Sequence, residues 1–277
     1  MIPDSCDILV FGTMGDIASV AASSLESHGL RVAQVPFPQN IFRDEFGYCR
    51  GLQKAVAALH PAMVMPVGCL IAASRVKADL PAGVVLPVDS EDNIRLLDGK
   101  VSGSRLAATL GVPQPRIYAS PDDMGQKQVV FKRNVSFGGH GVHLPWNRKS
   151  LDQLIAHQPK GEEYLIEDFV EGEDVSVDCV RLEGYFRASC YRSLKSKGNG
   201  PSVQREKADF PRIVEYARRM LDYVGYRGVC GFDFRVDTAG NPFFLECNPR
   251  FTGGLESQIS WGFDIPYVLW EKCRNGF

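Results

Sequence analysis

The sequence predicts an α/β fold, and three observations carry that reading. Apolar runs of strand length alternate with helix-period stretches through the N-terminal third, the pattern of βαβ units and a parallel sheet. Further on, strands follow one another across turns rather than helices. Between them, Ile213, Val214, Ala217, Met220, Leu221 and Val224 recur at helical spacing and stop at Gly225. The chain has 277 residues, above the common domain size of roughly 100–150, so more than one domain is expected.

Taken in order, Ile8-Leu9-Val10-Phe11 reads as a buried strand, followed by the turn Gly12-Thr13-Met14-Gly15-Asp16 and a helix from about Ile17 to His28, stopped by Gly29. Val32 to Val35 is the next strand. A helix near Gly51–Leu59 leads to the strand Met63-Val64-Met65, and Val84-Val85-Leu86 is a further strand candidate. The texture changes at Asp98. Ser102 to Leu110 forms a short helix closed by Gly111-Val112-Pro113, and Val129 to Lys132 is a strand entering Ser136-Phe137-Gly138-Gly139-His140-Gly141-Val142. Tyr164–Phe169 and Val175–Val180 are strands parted by the acidic Glu171–Asp174, and Val229–Val236 and Pro242–Cys247 form a final hairpin.

Composition closes several doors. Lys and Arg total 31 against 33 Asp and Glu, a net charge of −2, so nothing electrostatic recommends nucleic acid or an anionic membrane. Charged residues at 23% and aromatics at 10% exclude a disordered chain. The start, MIPDSCDILVFG, has no basic region ahead of its short apolar run, and no stretch reaches the roughly 20 apolar residues of a membrane span. The eight cysteines are scattered and form no C-x-x-C pair, which reads as a reduced, cytoplasmic, soluble enzyme without structural zinc.

The chemistry concentrates in the last hairpin. Period-two alternation puts Cys230, Phe232, Phe234 and Val236 on one face and Gly231, Asp233 and Arg235 on the other. The second strand divides into Phe243, Leu245 and Cys247 against Phe244, Glu246 and Asn248. A turn near Ala239-Gly240 makes 233 to 239 and 246 to 240 equal steps of six, so Asp233 and Glu246 fall opposite each other. Two carboxylates, an amide oxygen and Arg250 then converge. Oxygen donors suit a hard divalent cation, and Mg²⁺ prefers one or two carboxylates plus substrate phosphates. A solvated polar face with one cross-strand pair is the plainer alternative, but an idle carboxylate among the bulky residues of FFLECNPR would be costly.

Two other segments are informative only in company. The glycines of SFGGHGV let backbone N–H groups approach an anion, with Lys132 nearby, although such loops are often mere hairpin tips. The hinge in LIEDFVEGEDVSVD offers backbone groups and acids to a purine nucleoside, or is simply an acidic turn. The N-terminal GTMGD lacks the full G-x-G-x-x-G, so it reads as a tight turn or half of a substrate pocket rather than a nicotinamide site.

In this order the segments resemble the ATP-grasp superfamily of ATP-dependent carboxylate–amine ligases, over about Asp98 to Gly254. FFLECNPRFTGG is the most specific motif; KRNVSFGGHGV and IEDFVEGEDVSVD are less so. The resemblance implies an ATP-grasp fold of two α+β subdomains gripping ATP, preceded by a half-Rossmann domain. Boundaries then fall at 1–97 for the N-terminal domain, 98–166 for the lid with the glycine loop, and 167–277 for the part holding the metal site. It further implies ATP as cofactor with two Mg²⁺ or Mn²⁺ ions. Lys100 and Lys132 would contact phosphates, and Ser136, Gly138, Gly139 and Gly141 would close over them. Glu167, Phe169 and Val170 would hold adenine, and Asp174 the ribose. Asp233, Glu246 and Asn248 would bind metal, and Arg250, with Lys132, would be catalytic.

The expected function is ligation of a small carboxylic acid, an amino acid or related metabolite, to an amine through an acyl phosphate, with no nucleic-acid or membrane partner and with a homodimer compatible. The motif ending Pro-Arg-Phe looks like the carbamoyl-phosphate-synthetase-like and amino-acid-ligase branches. Arg192 and Lys195, in the stretch after Tyr191, are candidates for a substrate carboxylate. The alternative is a catalytically degenerate module that binds nucleotide and regulates a partner.

Overall fold

Three sheets organise the chain, seen in a computed structural model that describes residues 5–37, 44–136, 139–145, 147–196 and 202–274. The first is parallel. β1 (Ile8–Gly12), α1 (Ile17–Ser27), β2 (Val32–Val35), α2 (Glu45–Leu59), β3 (Met63–Val67) and α3 (Leu70–Val76) give the sheet order β2-β1-β3. Ile8 pairs with Val32 on one side and Met63 on the other. All of β1 and β3 is buried, as continuous apolar strands covered on both faces should be. The strand expected at Val84–Leu86 does not form: Val85 makes only an isolated bridge to Met63. Pro81, Gly83 and Pro87 flank it, and prolines without N–H groups leave little ladder to build.

α4 (Glu91–Asp98) begins where the Ser90 hydroxyl accepts from the Asn93 N–H at 3.2 Å. It leads to α5 (Lys100–Thr109). Leu106 and Ala107 of α5 enter the core of the largest sheet, while its first turn is tied to Asn134 beside the small one, so this helix joins the two.

The small sheet is antiparallel, of order β5-β4-β6: β4 (Val129–Arg133), β5 (Val142–His143) and, after α6 (Arg148–Ala156), β6 (Tyr164–Asp168). Its own core holds Phe131, Leu151 and Ile166.

The large sheet comprises β7 (Gly172–Leu182), β8 (Tyr185–Ser196), β9 (Ser202–Ala208), β10 (Gly228–Asp237) and β11 (Pro242–Asn248), in the order β11-β10-β7-β8-β9, all antiparallel. α7 (Pro211–Val224) starts on a proline that needs no N–H partner and ends at Gly225 with φ +69°. It lays Ile213, Ala217, Met220 and Leu221 on the sheet. β8 and β9 run through the stretch that the sequence reading treats as a loop after Tyr191.

One irregularity corrects the sequence reading. The ladder pairs Gly231 with Asn248 and Asp233 with Glu246, then shifts so that Phe234 faces Phe244. Leu245 is the extra residue, and a bulge reverses the alternation beyond it. Phe244, not Phe243 or Leu245, therefore joins Cys247 in the core, where it meets Phe234 edge-on with ring centroids 5.9 Å apart.

α8 (Leu255–Ser260) and α9 (Ile265–Cys273) return to the first layer. Phe263, Ile265 and Leu269 pack against Ile17, Ala21 and Leu25 of α1. The Ser24 hydroxyl donates to Asp264 at 2.6 Å, and His28 stacks on Tyr267 at 3.6 Å. Among the described residues no helix is long and apolar enough to cross a membrane.

Phe232 is wholly buried between α7 and the β10–β11 hairpin. Truncation to alanine is expected to cost about 3–5 kcal/mol of unfolding free energy, read from the shift of the urea midpoint against the wild-type chain.

Candidate active site

The site is built from charges that burial brings together. Asp233 on β10 and Glu246 on β11 face each other across the ladder, as the count of residues from the turn predicts. Asp233 Oδ1 accepts from the Ser176 hydroxyl at 2.6 Å and its Oδ2 from the Asn248 amide at 3.1 Å. Arg250 donates to Asn248 Oδ1 at 2.7 Å. Lys100, at the start of α5, reaches Glu246 Oε2 at 2.9 Å and the Ser136 carbonyl at 3.2 Å. Asp233, Glu246, Asn248, Lys100 and Arg250 therefore form one connected cluster.

Its electrostatics follow from geometry. Burial, then the Glu246 charge, pushes the Asp233 carboxyl up to about 7. Burial also acts to raise Glu246, but Lys100, Lys132 and Arg250 outweigh it and hold that carboxyl below its usual range. Two neighbouring carboxylates thus divide into one held ionised by cations and one that resists ionisation. Burial raises Asp98 as well, against the pull of Arg250 and Lys100.

Lys132 on β4 makes a second pair, with Glu167 of the adjacent β6 at 2.5 Å, and also donates to the Leu245 carbonyl at 3.4 Å. Both side chains are at most 6% exposed, so removing either would strand a buried charge. Burial lifts the Glu167 carboxyl, while Lys132 opposes the shift. The acid that the resemblance assigns to adenine is therefore engaged with the lysine it assigns to phosphate.

Phe169 and Val170 line the cavity as expected, with their backbone already committed: the Phe169 N–H donates to the Gln128 carbonyl at 3.1 Å, and the Val170 carbonyl accepts from Arg235 Nε at 3.0 Å. Arg235 also holds Asp174 at 2.5 Å. This arginine lies on the same alternating face as Asp233, a signal present in the sequence but not used there. In the glycine loop, Ser136 and Gly139 line the cavity. Gly141 stands behind it, where a Cβ would lie 2.5 Å from Ser136 Cβ, so no other residue fits that crossing unchanged. Gly138 lies outside the described residues.

The two substrate candidates are not at the cavity. Arg192 pairs with Glu173 at 3.3 Å and lies over the Phe210 ring, and Lys195 is exposed near the end of β8. Alternation explains this: Tyr191 and Ser193 of β8 line the cavity, so Arg192 between them does not. The arginine that these two strands do bring to the cavity is Arg205, paired in register with Ser193. Missing the two strands hid it from the sequence reading.

These groups share one cavity of about 990 Å³ where the three sheets meet, and the β1–α1 turn at Thr13–Gly15 completes its wall. Among the described residues no three His, Cys, Asp or Glu side chains are grouped as a metal cage. Two desolvated carboxylates and an amide oxygen instead form an incomplete oxygen set, and the mutual repulsion that raises Asp233 is what a divalent cation would relieve. The residues fit Mg²⁺ or Mn²⁺ completed by phosphate oxygens.

Comparison with known proteins bears on the fold. Residues 160–276 match the family model described as ATP-grasp in the biosynthetic pathway with Ter operon. The carbamoyl-phosphate synthase of Methanobrevibacter smithii is 25% identical over 160 residues, which is 54% of this chain; the chain spans only 43% of that relative. Among solved structures, biotin carboxylase from Campylobacter jejuni, described as a β-γ-ATP complex, superposes with TM-score 0.77 at 16% identity, over 99% of this chain and 72% of its own. The L-amino acid ligase of Bacillus licheniformis gives TM-score 0.73 at 16% identity, over 99% of this chain and 76% of its own. The biotin carboxylase domain of Hydrogenobacter thermophilus 2-oxoglutarate carboxylase, solved as a dimer with MgADP and bicarbonate, gives 0.70 at 14%, over 96% and 70%. With the fold shared along almost its whole length and the family match confined to its C-terminal part, the chain has the ATP-grasp fold.

Proposed function

We propose that the chain is an ATP- and Mg²⁺-dependent, ADP-forming ligase that activates a small carboxylic acid as an acyl phosphate and passes the acyl group to an amine. The observation that carries this reading is the gathering of Lys100, Lys132 and Arg250 around Asp233, Glu246 and Asn248 in one cavity. A carboxylate is a poor acyl donor because its oxygen is a poor leaving group. Transfer of the γ-phosphoryl of ATP to that oxygen removes the obstacle. Such a transfer asks a protein for positioning and charge neutralisation rather than for a covalent nucleophile. The nucleotide complexes among the related structures support ATP as the donor.

In this reading Asp233, Glu246 and Asn248 hold one or two Mg²⁺ or Mn²⁺ ions. A bound ion would offset charge on the β- and γ-phosphates. Lys100 and Lys132 bind phosphate oxygens, and Glu167 keeps the Lys132 ammonium aimed into the cavity. Arg250 steadies the transferred group. The loop carrying Ser136, Gly138, Gly139 and Gly141 covers the triphosphate and keeps water from the acyl phosphate. The hinge at Phe169–Val170 receives the base, and Asp174, held by Arg235, meets the ribose.

Glu246→Gln should lower ADP release by about 100-fold or more with pooled carboxylates and amines, while metal-free nucleotide binding is kept. Full activity in that variant would refute the metal assignment. Nucleotide binding without ADP release in the wild-type chain would favour a regulatory module instead.

A pH dependence follows from Asp233, raised to about 7. Metal requires the ionised carboxylate, so binding tightens as pH rises through that value. Titration with Mn²⁺ alone, followed by electron paramagnetic resonance, should give about tenfold tighter binding at pH 8 than at pH 6, since about one Asp233 in ten is ionised a unit below its pKa. Asp233→Asn should weaken binding and flatten the profile.

A further inference from the structure

The wall of the cavity opposite the large sheet is apolar, and its construction points to the acid. The first sheet has the order β2-β1-β3, so the chain leaves β1 toward one side for β2 and returns on the other for β3. The gap between β1 and β3 is thus a topological switch point, where the loops after two neighbouring strands part and leave a crevice. Both loops line the cavity: Thr13–Gly15 after β1 and Gly68–Cys69 after β3. They begin pressed together, since a Cβ at Gly12 would lie 2.2 Å from the Val67 carbonyl oxygen. Cys69 stands in the left-handed region at φ +49°, one of two described non-glycine residues with positive φ, and from that turn α3 starts with Leu70 and Ile71 on the cavity wall.

The side chains presented there are Met14, Leu70 and Ile71, each half-buried, backed by the buried Ile17 and Ile94. Of the charged side chains that these helices contribute, Glu45 is already paired with Arg75, and Asp98 sits at the far end beside Arg250 and Lys100. Half-exposed aliphatic groups facing an enclosed space gain by covering with apolar atoms, at about 0.8 kcal/mol per buried CH₂.

The charged end of the cavity adjoins this wall directly. Arg250 Nη1 lies 3.7 Å from Met14 Sδ. Arg205 lines the cavity over the Tyr191 ring; its Nη2 donates to the Ser202 carbonyl, while its Nε is buried and without a hydrogen-bond partner. A buried guanidinium N–H without an acceptor calls for an anion.

We propose that the acid activated at this site carries an aliphatic side chain, seated against Met14, Leu70 and Ile71 while its carboxylate faces Arg250 and Arg205. This rests on the ligase reading above and narrows it to a substrate class. The carboxylate oxygen bonds to the γ-phosphorus as the bond from that phosphorus to the bridging β–γ oxygen breaks, and ADP leaves.

The test uses the full chain with Mg²⁺, ATP and hydroxylamine, which attacks the acyl carbon, forms a hydroxamate and expels inorganic phosphate. Acids of leucine or methionine size should give kcat/KM at least about tenfold above glycine, serine or aspartate. Leu70→Asp should remove that preference while the dissociation constant for ATP stays unchanged, and Leu70→Met should retain it; thermal unfolding confirms that each variant is folded. Equal or better use of the polar acids, activation of none of the panel, or an unaltered preference in folded Leu70→Asp overturns the proposal. Failure of the wild-type chain to bind ATP would instead overturn the ligase reading, and this inference with it.

Discussion

Two carboxylates fixed opposite each other across an antiparallel ladder repel, and the architecture around the site is organised by the need to offset that repulsion. Asp233 and Glu246 cannot separate, because the β10–β11 register holds their backbones. Relief comes from outside the hairpin: Lys100 from the start of α5, Lys132 from the small sheet and Arg250 from the turn after β11. Each cation belongs to a different segment, so the charge balance also ties the layers to one another. The cavity lies where they meet because that is where the charges must meet.

The same hairpin shows how one backbone irregularity serves two demands. A regular ladder would turn Phe244 to the face of Glu246. The extra residue at Leu245 lets Phe244 fill the core while Glu246 keeps its place opposite Asp233. Packing and ligand geometry are thereby uncoupled within three residues. Lys132, meanwhile, donates to the carbonyl of that same bulged Leu245, so the irregular point is also held from the small sheet.

Much of this was legible in the chain. Period-two alternation in Cys230–Val236 and the equal steps about Ala239-Gly240 led to the right pair, Asp233 against Glu246, although the ladder leaves the turn with Val236 opposite Pro242 and the extra residue Leu245 restores that pairing. What alternation could not reveal was the bulge, since a single inserted residue leaves no compositional mark when every neighbour is bulky. Arg205 was hidden for another reason. β8 and β9 are amphipathic and charged, with Arg, Lys and Ser along both, so they read as loop, and the face of each residue was lost with the strand. Glu167 illustrates a third limit. Its place in the hinge motif was visible, but its partner Lys132 lies on another strand, and only the β4–β6 pairing brings the two together.

The packing of α1 against α8 and α9 has a consequence for how the chain is made. Ser24 and Asp264, which touch, are separated by 240 residues. During synthesis at roughly 5–20 residues per second, the apolar face of α1 stays without its cover for on the order of 10–50 s. This layer is therefore closed by a partner that lies far from it in the sequence. In that interval β1 and β3 already shelter part of α1, and the strip left for α8 and α9 is the surface open to a holding chaperone.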